Sequence, residues 1–139
     1  MTDNAKDQAA VGTVLIVDDT EASSAALELA CAAIPGINVS TVSSALDAVR
    51  ILRASGPSVR AVFTDIRMPH MDGFDLIRLI RADRRFAATP VIVVTADTDP
   101  DTPARTALLG ADAYFSKPFS PRAVRETLER LLHGNPSAD

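Results

Sequence analysis

Residues 59–74, VRAVFTDIRMPHMDGF, decide the fold of this chain. The apolar run 61–63 predicts a buried strand, and Asp65 follows where that strand ends. A carboxylate beside a buried apolar run is costly unless a positive charge or hydrogen-bond donors hold it there. Pro69 then breaks the strand, and Gly73 precedes a stretch with helical periodicity. The stretch therefore predicts a strand, a loop and a helix, with Asp65 at the carboxyl end of the strand, where open α/β sheets bind their ligands.

The same order of strand and helix recurs along the chain. Short apolar runs predict strands over residues 13–17, 37–42, 61–63, 91–94 and 113–116. Helical periodicity predicts helices over residues 21–34, 72–84 and 121–133, a further helix from Ser43 or Ser44 to Gly56-Pro57, and a short one between Pro103 and Gly110. Apolar strands alternating with helices predict a parallel sheet with helices on both faces. Because crossovers are right-handed, the fold class is α/β, a flavodoxin-like doubly wound sheet of five parallel strands in the order 2-1-3-4-5.

Apolar residues at helical spacing also predict which side of each helix is buried. The predicted inward residues are Ala22, Ala26, Leu29 and Ala33 in the first helix, Phe74, Ile77 and Ile80 in the third, and Val124, Leu128 and Leu131 in the last.

Length and composition indicate one acidic domain. The chain has 139 residues, of which 47% are hydrophobic and 4% aromatic with no Trp, so its core is expected to be built largely from Val, Ile, Leu and Ala. A net charge of −4 argues against nucleic acid as the main partner. We expect a flexible leader over residues 1–12, a domain over 13–133 and a frayed end over 134–139.

The single cysteine and the amino-terminal residues indicate the cellular compartment in which the protein is expected. One cysteine, Cys31, forbids an internal disulfide, and its helical surroundings predict a small core residue and not a nucleophile. The first ten residues lack the basic and apolar regions of a signal peptide, and no apolar run approaches membrane length. We therefore expect a cytoplasmic location, away from membranes.

Polar residues interrupt the apolar runs where the strands end. Asp18 and Asp19 follow the first strand, Asp65 the third, Thr95 the fourth and Lys117 the fifth. The ends of parallel strands lie at one edge of a sheet, so these residues are expected to share one pocket. Each has a plain explanation alone, as a turn residue, a helix cap or a solvated charge. One shared site is favoured because independent accidents at four strand ends are improbable.

The residue types at this edge suit phosphate chemistry. Three neighbouring carboxylates repel one another unless a cation offsets their charge, and hard oxygen ligands without Cys or His suit Mg²⁺. Lys117 provides a positive charge for a phosphate oxygen, and the Thr95 hydroxyl a hydrogen-bond donor. Asp65 is then predicted to be a nucleophile that accepts a phosphoryl group.

Four motifs carry a family resemblance: VLIVDD (14–19), FTDIRMPHMDG (63–73), VIVVTA (91–96) and GADAYFSKPF (110–119). With them, residues 13–133 resemble a receiver domain of two-component response regulators, of the chemotaxis type and in stand-alone form. The resemblance implies that Asp65 is the phosphoacceptor and that Mg²⁺ is the cofactor. It implies the following metal ligands: Asp18, Asp19, Asp65 and the backbone carbonyl of Arg67. It further implies that Thr95 and Lys117 contact the phosphoryl group, that Tyr114 is the switch aromatic, and that Lys117-Pro118 is a cis peptide.

The resemblance also implies partners and a mechanism. A histidine kinase or histidine phosphotransfer protein would donate the phosphoryl group, and the receiver would catalyse only its own phosphorylation and dephosphorylation. Thr95 would then move toward the phosphate and Tyr114 would turn inward, which repacks the face formed by the fourth helix, fifth strand and fifth helix for an output protein. The chain is alternatively a receiver excised from a hybrid histidine kinase or multidomain regulator.

Rival functions fit the residues less well. An aspartyl-phosphate hydrolase would carry D-x-D-x-T/V after the first strand, and Asp18-Asp19-Thr20-Glu21 has the wrong spacing. A flavin-binding module would need a hydroxyl-rich loop there, and the acidic pair would repel the FMN phosphate. A scaffold that is never phosphorylated would not need the complete set of site residues.

Two charged residues, Arg67 and Asp97, are a departure from the site that the resemblance implies. Arg67 lies two residues after Asp65, and Asp97 lies two residues after Thr95, so both should flank the mouth of the pocket. A pair between them would obstruct the attacking water and lengthen the lifetime of the acyl phosphate. The alternative is two solvated charges on separate loops, which contribute little to each other.

Overall fold

The computed structural model describes residues 12–55 and 58–133. Its five strands form one parallel sheet in the order β2-β1-β3-β4-β5, which confirms the predicted topology. The strands are β1 (Gly12–Val17), β2 (Ile37–Val42), β3 (Val59–Thr64), β4 (Val91–Thr95) and β5 (Ala113–Ser116). Gly12, predicted to belong to the leader, is thus the first residue of β1. The rest of the predicted leader, the helix end at Gly56-Pro57 and the predicted frayed end lie outside the described residues.

Five helices connect and follow the strands. They are α1 (Glu21–Ala32), α2 (Ala45–Ser55), α3 (Gly73–Ala82), α4 (Thr102–Leu109) and α5 (Pro121–Leu132). Among the described residues, none of these helices combines the length and the apolar character needed to cross a bilayer.

Side-chain caps fix where several helices begin. Asp72 accepts a hydrogen bond from the Asp75 backbone N–H at 2.9 Å, and the Asp75 carboxylate accepts one from the Asp72 N–H at 3.3 Å, a reciprocal capping box. Of the two predicted caps for α2, the Ser44 hydroxyl accepts from the Asp47 N–H at 3.1 Å. Gly110 ends α4 with a φ of 108°, a left-handed conformation that glycine adopts without steric cost.

Alternate strand residues face two separate apolar layers. Leu15, Val62 and Val93 pack with α2 and α3 on one face of the sheet. Residues of opposite parity, among them Ile16 and Phe63, pack with α1 and α5 on the other. Both faces of the sheet are therefore buried, which explains why its strands are continuous apolar runs.

The predicted inward side of α1 is wrong. The buried residues are Ser24, Leu27, Ala30 and Cys31, whereas Leu29 is 77% exposed and Ala22 and Ala33 also face solvent. Five of the twelve residues of α1 are alanine, whose small side chain distinguishes an inward from an outward position only weakly. The inward residues of α3 are confirmed, and in α5 Leu132 is buried together with Val124 and Leu128, with Leu131 only partly covered.

Cys31 is a core residue, as predicted, and its thiol is expected to be unreactive. Burial, with the nearby charge of Glu28, raises its pKa to about 12. The thiolate is the reactive species, so the native protein should not be alkylated by iodoacetamide at pH 8. Intact mass after labelling, with and without guanidinium, tests this. Equal labelling of native and unfolded protein would contradict it.

Candidate functional site

Strand register brings the distant polar residues to one edge of the sheet. Val17 of β1 pairs with Thr64 of β3, so the next residues, Asp18 and Asp65, leave neighbouring strands side by side. The Asp65 backbone N–H donates to the Val17 carbonyl at 3.0 Å, which continues this pairing by one residue. Across the sheet, Thr95 of β4 pairs with Ser116 of β5, and Lys117 follows directly. The predicted convergence of strands one, three, four and five is therefore present.

Lys117 lies between two buried carboxylates. Its Nζ donates to Asp65 Oδ2 at 2.8 Å and to Asp18 Oδ2 at 2.9 Å. The side chain of Lys117 is 14% exposed, that of Asp65 8% and that of Asp18 1%. Three charged side chains this deeply buried require one another, because an unpaired buried charge is very costly. This triad excludes the explanation of Lys117 as a solvated surface charge.

The pKa values of the triad reflect burial and pairing. Burial raises the pKa of Asp18, and the hydrogen bonds from Lys117 and the Thr20 N–H limit the rise. For Lys117, burial disfavours the charged form, but the hydrogen bonds to Asp65 and Asp18 outweigh it and the pKa lies above its ordinary value. Lys117 is therefore charged at neutral pH and available to an anionic ligand.

The acidic cluster has the composition of a magnesium site. Carboxylate oxygens of Asp18, Asp19 and Asp65 lie within 4.8 Å of one another. One ammonium among three carboxylates leaves two negative charges uncompensated. One divalent cation would balance them. Mg²⁺ prefers hard oxygen ligands and keeps several waters, so these residues fit it. The predicted ligation by the Arg67 carbonyl stays a prediction.

An open cavity of about 460 Å³ lies over Asp65, and four of the predicted functional residues line it: Asp19, Asp65, Thr95 and Lys117. Thr95 is fully buried in its wall, and the Thr95 hydroxyl oxygen accepts a hydrogen bond from the Asp97 N–H at 3.2 Å. Lys117 and Asp19 complete the wall near the carboxylate. The cavity is large enough for a phosphoryl group next to the Asp65 oxygens.

Of the two alternatives for Arg67 and Asp97, the structure shows the charged pair at the mouth. Arg67 Nη2 lies 3.2 Å from Asp97 Oδ2, and both residues line the cavity that contains Asp65. The Arg67 side chain is 59% exposed and the Asp97 side chain 10% exposed. The Thr102 hydroxyl, and to a smaller degree the Asp99 N–H and Arg67, hold the pKa of Asp97 below its ordinary value.

Tyr114 lies on β5, three residues before Lys117. It is half-buried on β5, opposite Val93, and packs against the apolar layer that includes α3. Burial and the charges of Asp97 and Asp65 raise the pKa of its hydroxyl. The peptide bond between Lys117 and Pro118 is cis, as expected.

Two contributors to the site were not predicted. Gly73 packs so closely on the Asp65 loop that a Cβ there would lie 2.2 Å from the Asp65 carbonyl oxygen. Thr64 donates from its hydroxyl to the same carbonyl at 2.8 Å. The Asp72-Gly73 pair predicted the start of a helix, but its close packing on the loop depends on the folded chain.

Comparison with models of known protein families gives a match that includes all of these site residues. Residues 14–129 match the response regulator receiver domain. The chain belongs to this family. Receiver domains are signalling modules that interact with histidine kinases or phosphotransfer proteins and bind Mg²⁺ at an acidic cluster, which here corresponds to Asp18, Asp19 and Asp65.

Several known receiver proteins resemble the chain. It is 35% identical over 120 residues to the transcriptional regulatory protein GltR of Pseudomonas aeruginosa, covering 86% of this chain and 48% of GltR. It is 39% identical over 69 residues to the chemotaxis protein CheY of the same organism, covering 50% of this chain and 56% of CheY. The signal receiver domain of a histidine kinase from Syntrophus aciditrophicus superimposes with a TM-score of 0.79 and 28% identity, covering 92% and 95% of the two chains. The chain spans about half the length of these two curated relatives.

Proposed function

We propose that this receiver domain is a phosphorylation-controlled switch that accepts a phosphoryl group on Asp65 in a Mg²⁺-dependent step. The donor is a histidine kinase or histidine phosphotransfer protein. The observation that carries the proposal is the position of Lys117 Nζ, 2.8 Å from Asp65 and 2.9 Å from Asp18, beside an open cavity. This arrangement leaves Asp65 with a charged partner on one side and space for phosphorus on the other.

The residues around Asp65 support the following chemistry of the transfer. An Asp65 carboxylate oxygen attacks phosphorus, and the bond from phosphorus to the donor histidine nitrogen breaks as the new phosphorus–oxygen bond forms. Lys117 offsets negative charge on the phosphoryl oxygens. Mg²⁺, held by Asp18, Asp19 and Asp65, would supply Lewis-acid stabilisation of the same oxygens.

The proposed output step uses Thr95, Tyr114 and the face of α4. The Thr95 hydroxyl would donate to one of them, and Tyr114 would move into the space that Thr95 vacates. Leu108 on α4 is 87% exposed, and a small cavity of about 170 Å³ lies between α4 and β5. These features support docking of an output protein on the face formed by α4, β5 and α5.

The test uses a small phosphodonor, so no partner is needed. The protein is incubated with acetyl phosphate and Mg²⁺, and its intact mass is measured. We expect addition of one phosphoryl group to wild type, none to Asp65→Asn, and none after chelation of the metal. Asp47→Asn, an exposed carboxylate on α2, is the control and should be modified like wild type. Equal modification of Asp65→Asn and wild type would refute the proposal.

The pair at the mouth is expected to slow dephosphorylation. In Arg67→Ala the guanidinium no longer screens the cavity, and water should reach phosphorus more easily. The acyl phosphate should then decay about two- to fivefold faster, the effect of an exposed pair. Loss of phosphorylated protein after removal of the donor measures this decay. The control is Arg50→Ala, which removes an exposed ion pair with Asp47 on α2. An unchanged half-life of the acyl phosphate in Arg67→Ala would contradict this prediction.

The domain also fits as part of a larger signalling protein. The chain spans 48% of GltR, and the matching Syntrophus structure is a receiver domain of a histidine kinase. The same phosphorylation chemistry therefore also suits a receiver from a hybrid kinase or a multidomain regulator.

A further inference from the structure

The buried residues of helix α4 are polar. Its buried residues are two threonines, Thr102 and Thr106, both fully inaccessible to solvent. The Thr106 hydroxyl donates to the Pro103 carbonyl of the same helix at 2.9 Å. The Thr102 hydroxyl instead leaves the helix and donates to Asp97 Oδ2 at 2.5 Å. Only the second of these two hydrogen bonds connects α4 to the functional site.

The acceptor of this bond is shared with Arg67. Asp97 Oδ2 accepts from Thr102 Oγ1 and also lies 3.2 Å from Arg67 Nη2. Hydrogen bonds to a charged group are strong, and the Asp97 side chain is only 10% exposed. The Asp97 Oδ1 atom also accepts from the Asp99 N–H, but at 3.4 Å, so the shorter bond from Thr102 chiefly sets the orientation of the carboxylate. The exposed Arg67 side chain is held in turn by that carboxylate.

We propose that Thr102 is a positioning residue for the phosphoryl site: through Asp97 it holds Arg67 across the mouth of the cavity. The inference rests on the proposed phosphorylation of Asp65. In dephosphorylation, a water oxygen attacks phosphorus and the bond from phosphorus to the Asp65 oxygen breaks. Asp65 returns as a carboxylate, and phosphate leaves with the oxygen and protons of the water. Arg67 obstructs the path of that water only while Asp97 keeps it in place.

The position of Thr102 gives this contact a regulatory consequence. Thr102 is the first residue of α4, so any partner that moves the amino end of the helix also moves the Asp97 carboxylate. Occupancy of that end of α4 and the lifetime of phosphorylated Asp65 are then energetically coupled, and each affects the other.

The test compares matched threonine variants. Thr102→Val removes the hydroxyl at nearly constant volume, Thr102→Ser keeps it, and Thr106→Val is the control on the same buried side of α4. Each protein is phosphorylated with acetyl phosphate and Mg²⁺, the donor is removed, and the phosphorylated fraction is followed by intact mass. We expect Thr102→Val to lose the group about two- to fivefold faster than wild type, as for loss of an exposed pair. Thr102→Ser and Thr106→Val should decay like wild type.

The Arg67→Ala background separates positioning from general destabilisation. If Thr102 acts through Arg67, adding Thr102→Val to Arg67→Ala should not accelerate decay further. Further acceleration in the double variant would overturn the inference, as would a wild-type lifetime in Thr102→Val or equal acceleration in Thr106→Val. Absence of phosphorylation in wild type would instead refute the proposed function itself.

Discussion

Replacing Lys117 with methionine is expected to lower the free energy of unfolding of the metal-free protein by about 3–5 kcal/mol, the usual cost of removing one partner from a buried ion pair. The side chain of methionine fills similar space, but Asp18 and Asp65 are left facing each other, 1% and 8% exposed, without the ammonium. Denaturant unfolding at pH 7 in the presence of a chelator measures the loss. Added Mg²⁺ should restore part of it, because the ion replaces the missing positive charge.

The loss in Lys117→Met should also depend on pH. Without Lys117 the pKa of Asp18, already raised by burial, rises further in the folded state. The folded protein then binds more protons than the unfolded chain above the ordinary pKa of the carboxyl group, so stability falls as pH rises through this window. The difference from wild type should therefore be largest near neutral pH and shrink toward pH 3.8, the ordinary value.

Arg122 provides the control for this variant. It pairs with Glu126 at 3.2 Å on the surface of α5, where the two side chains are 79% and 60% exposed. Arg122→Met should leave stability close to that of wild type, because exposed pairs contribute little. If Lys117→Met were as mild as Arg122→Met, Lys117 would not be compensating the buried carboxylates.

Replacing Gly73 with alanine is expected to cost about 2–3 kcal/mol of stability through overpacking and to disable the site. The added Cβ would lie 2.2 Å from the Asp65 carbonyl oxygen and 2.8 Å from Ile66 Cα. Both are backbone atoms, so the loop that carries Asp65 must move. Thermal unfolding and the extent of phosphorylation by acetyl phosphate measure the two effects.

Gly36→Ala is the matched control for Gly73→Ala. Gly36 has a φ of 80° and precedes β2, at the sheet edge opposite Asp65. Alanine in this left-handed conformation should cost about 1–2 kcal/mol without affecting phosphorylation. Normal phosphorylation of a folded Gly73→Ala protein would show that the close contact does not position Asp65.

The sheet and the convergence of strand ends could be predicted because they depend on local signals. Buried parallel strands are continuous apolar runs, and a polar residue that ends such a run must lie at the sheet edge. Asp65, Asp18 and Lys117 were located in this way, and the family motifs added specific roles. The inward side of α1 could not be predicted, because alanine gives little contrast between positions such as Ala30, which is buried, and Ala33, which is exposed.

The contacts that refine the site depend on the tertiary structure. Thr102 and Asp97 are five residues apart, and only the conformation of the loop between β4 and α4 directs one side chain to the other. The approach of Gly73 to Asp65 likewise requires the folded loop between β3 and α3. Spacing in the sequence gave the Arg67–Asp97 pair as a hypothesis, and the structure places the two residues 3.2 Å apart.

One carboxylate, that of Asp65, is expected to receive the phosphoryl group. An acyl phosphate is reduced by borohydride to an alcohol, which converts the modified aspartate to homoserine and leaves free carboxylates unchanged. Peptide mapping by mass spectrometry after acetyl phosphate, Mg²⁺ and borohydride treatment then identifies the modified residue. We predict homoserine at position 65 and aspartate at positions 18 and 19; homoserine at 18 or 19, with Asp65 intact, would contradict the account.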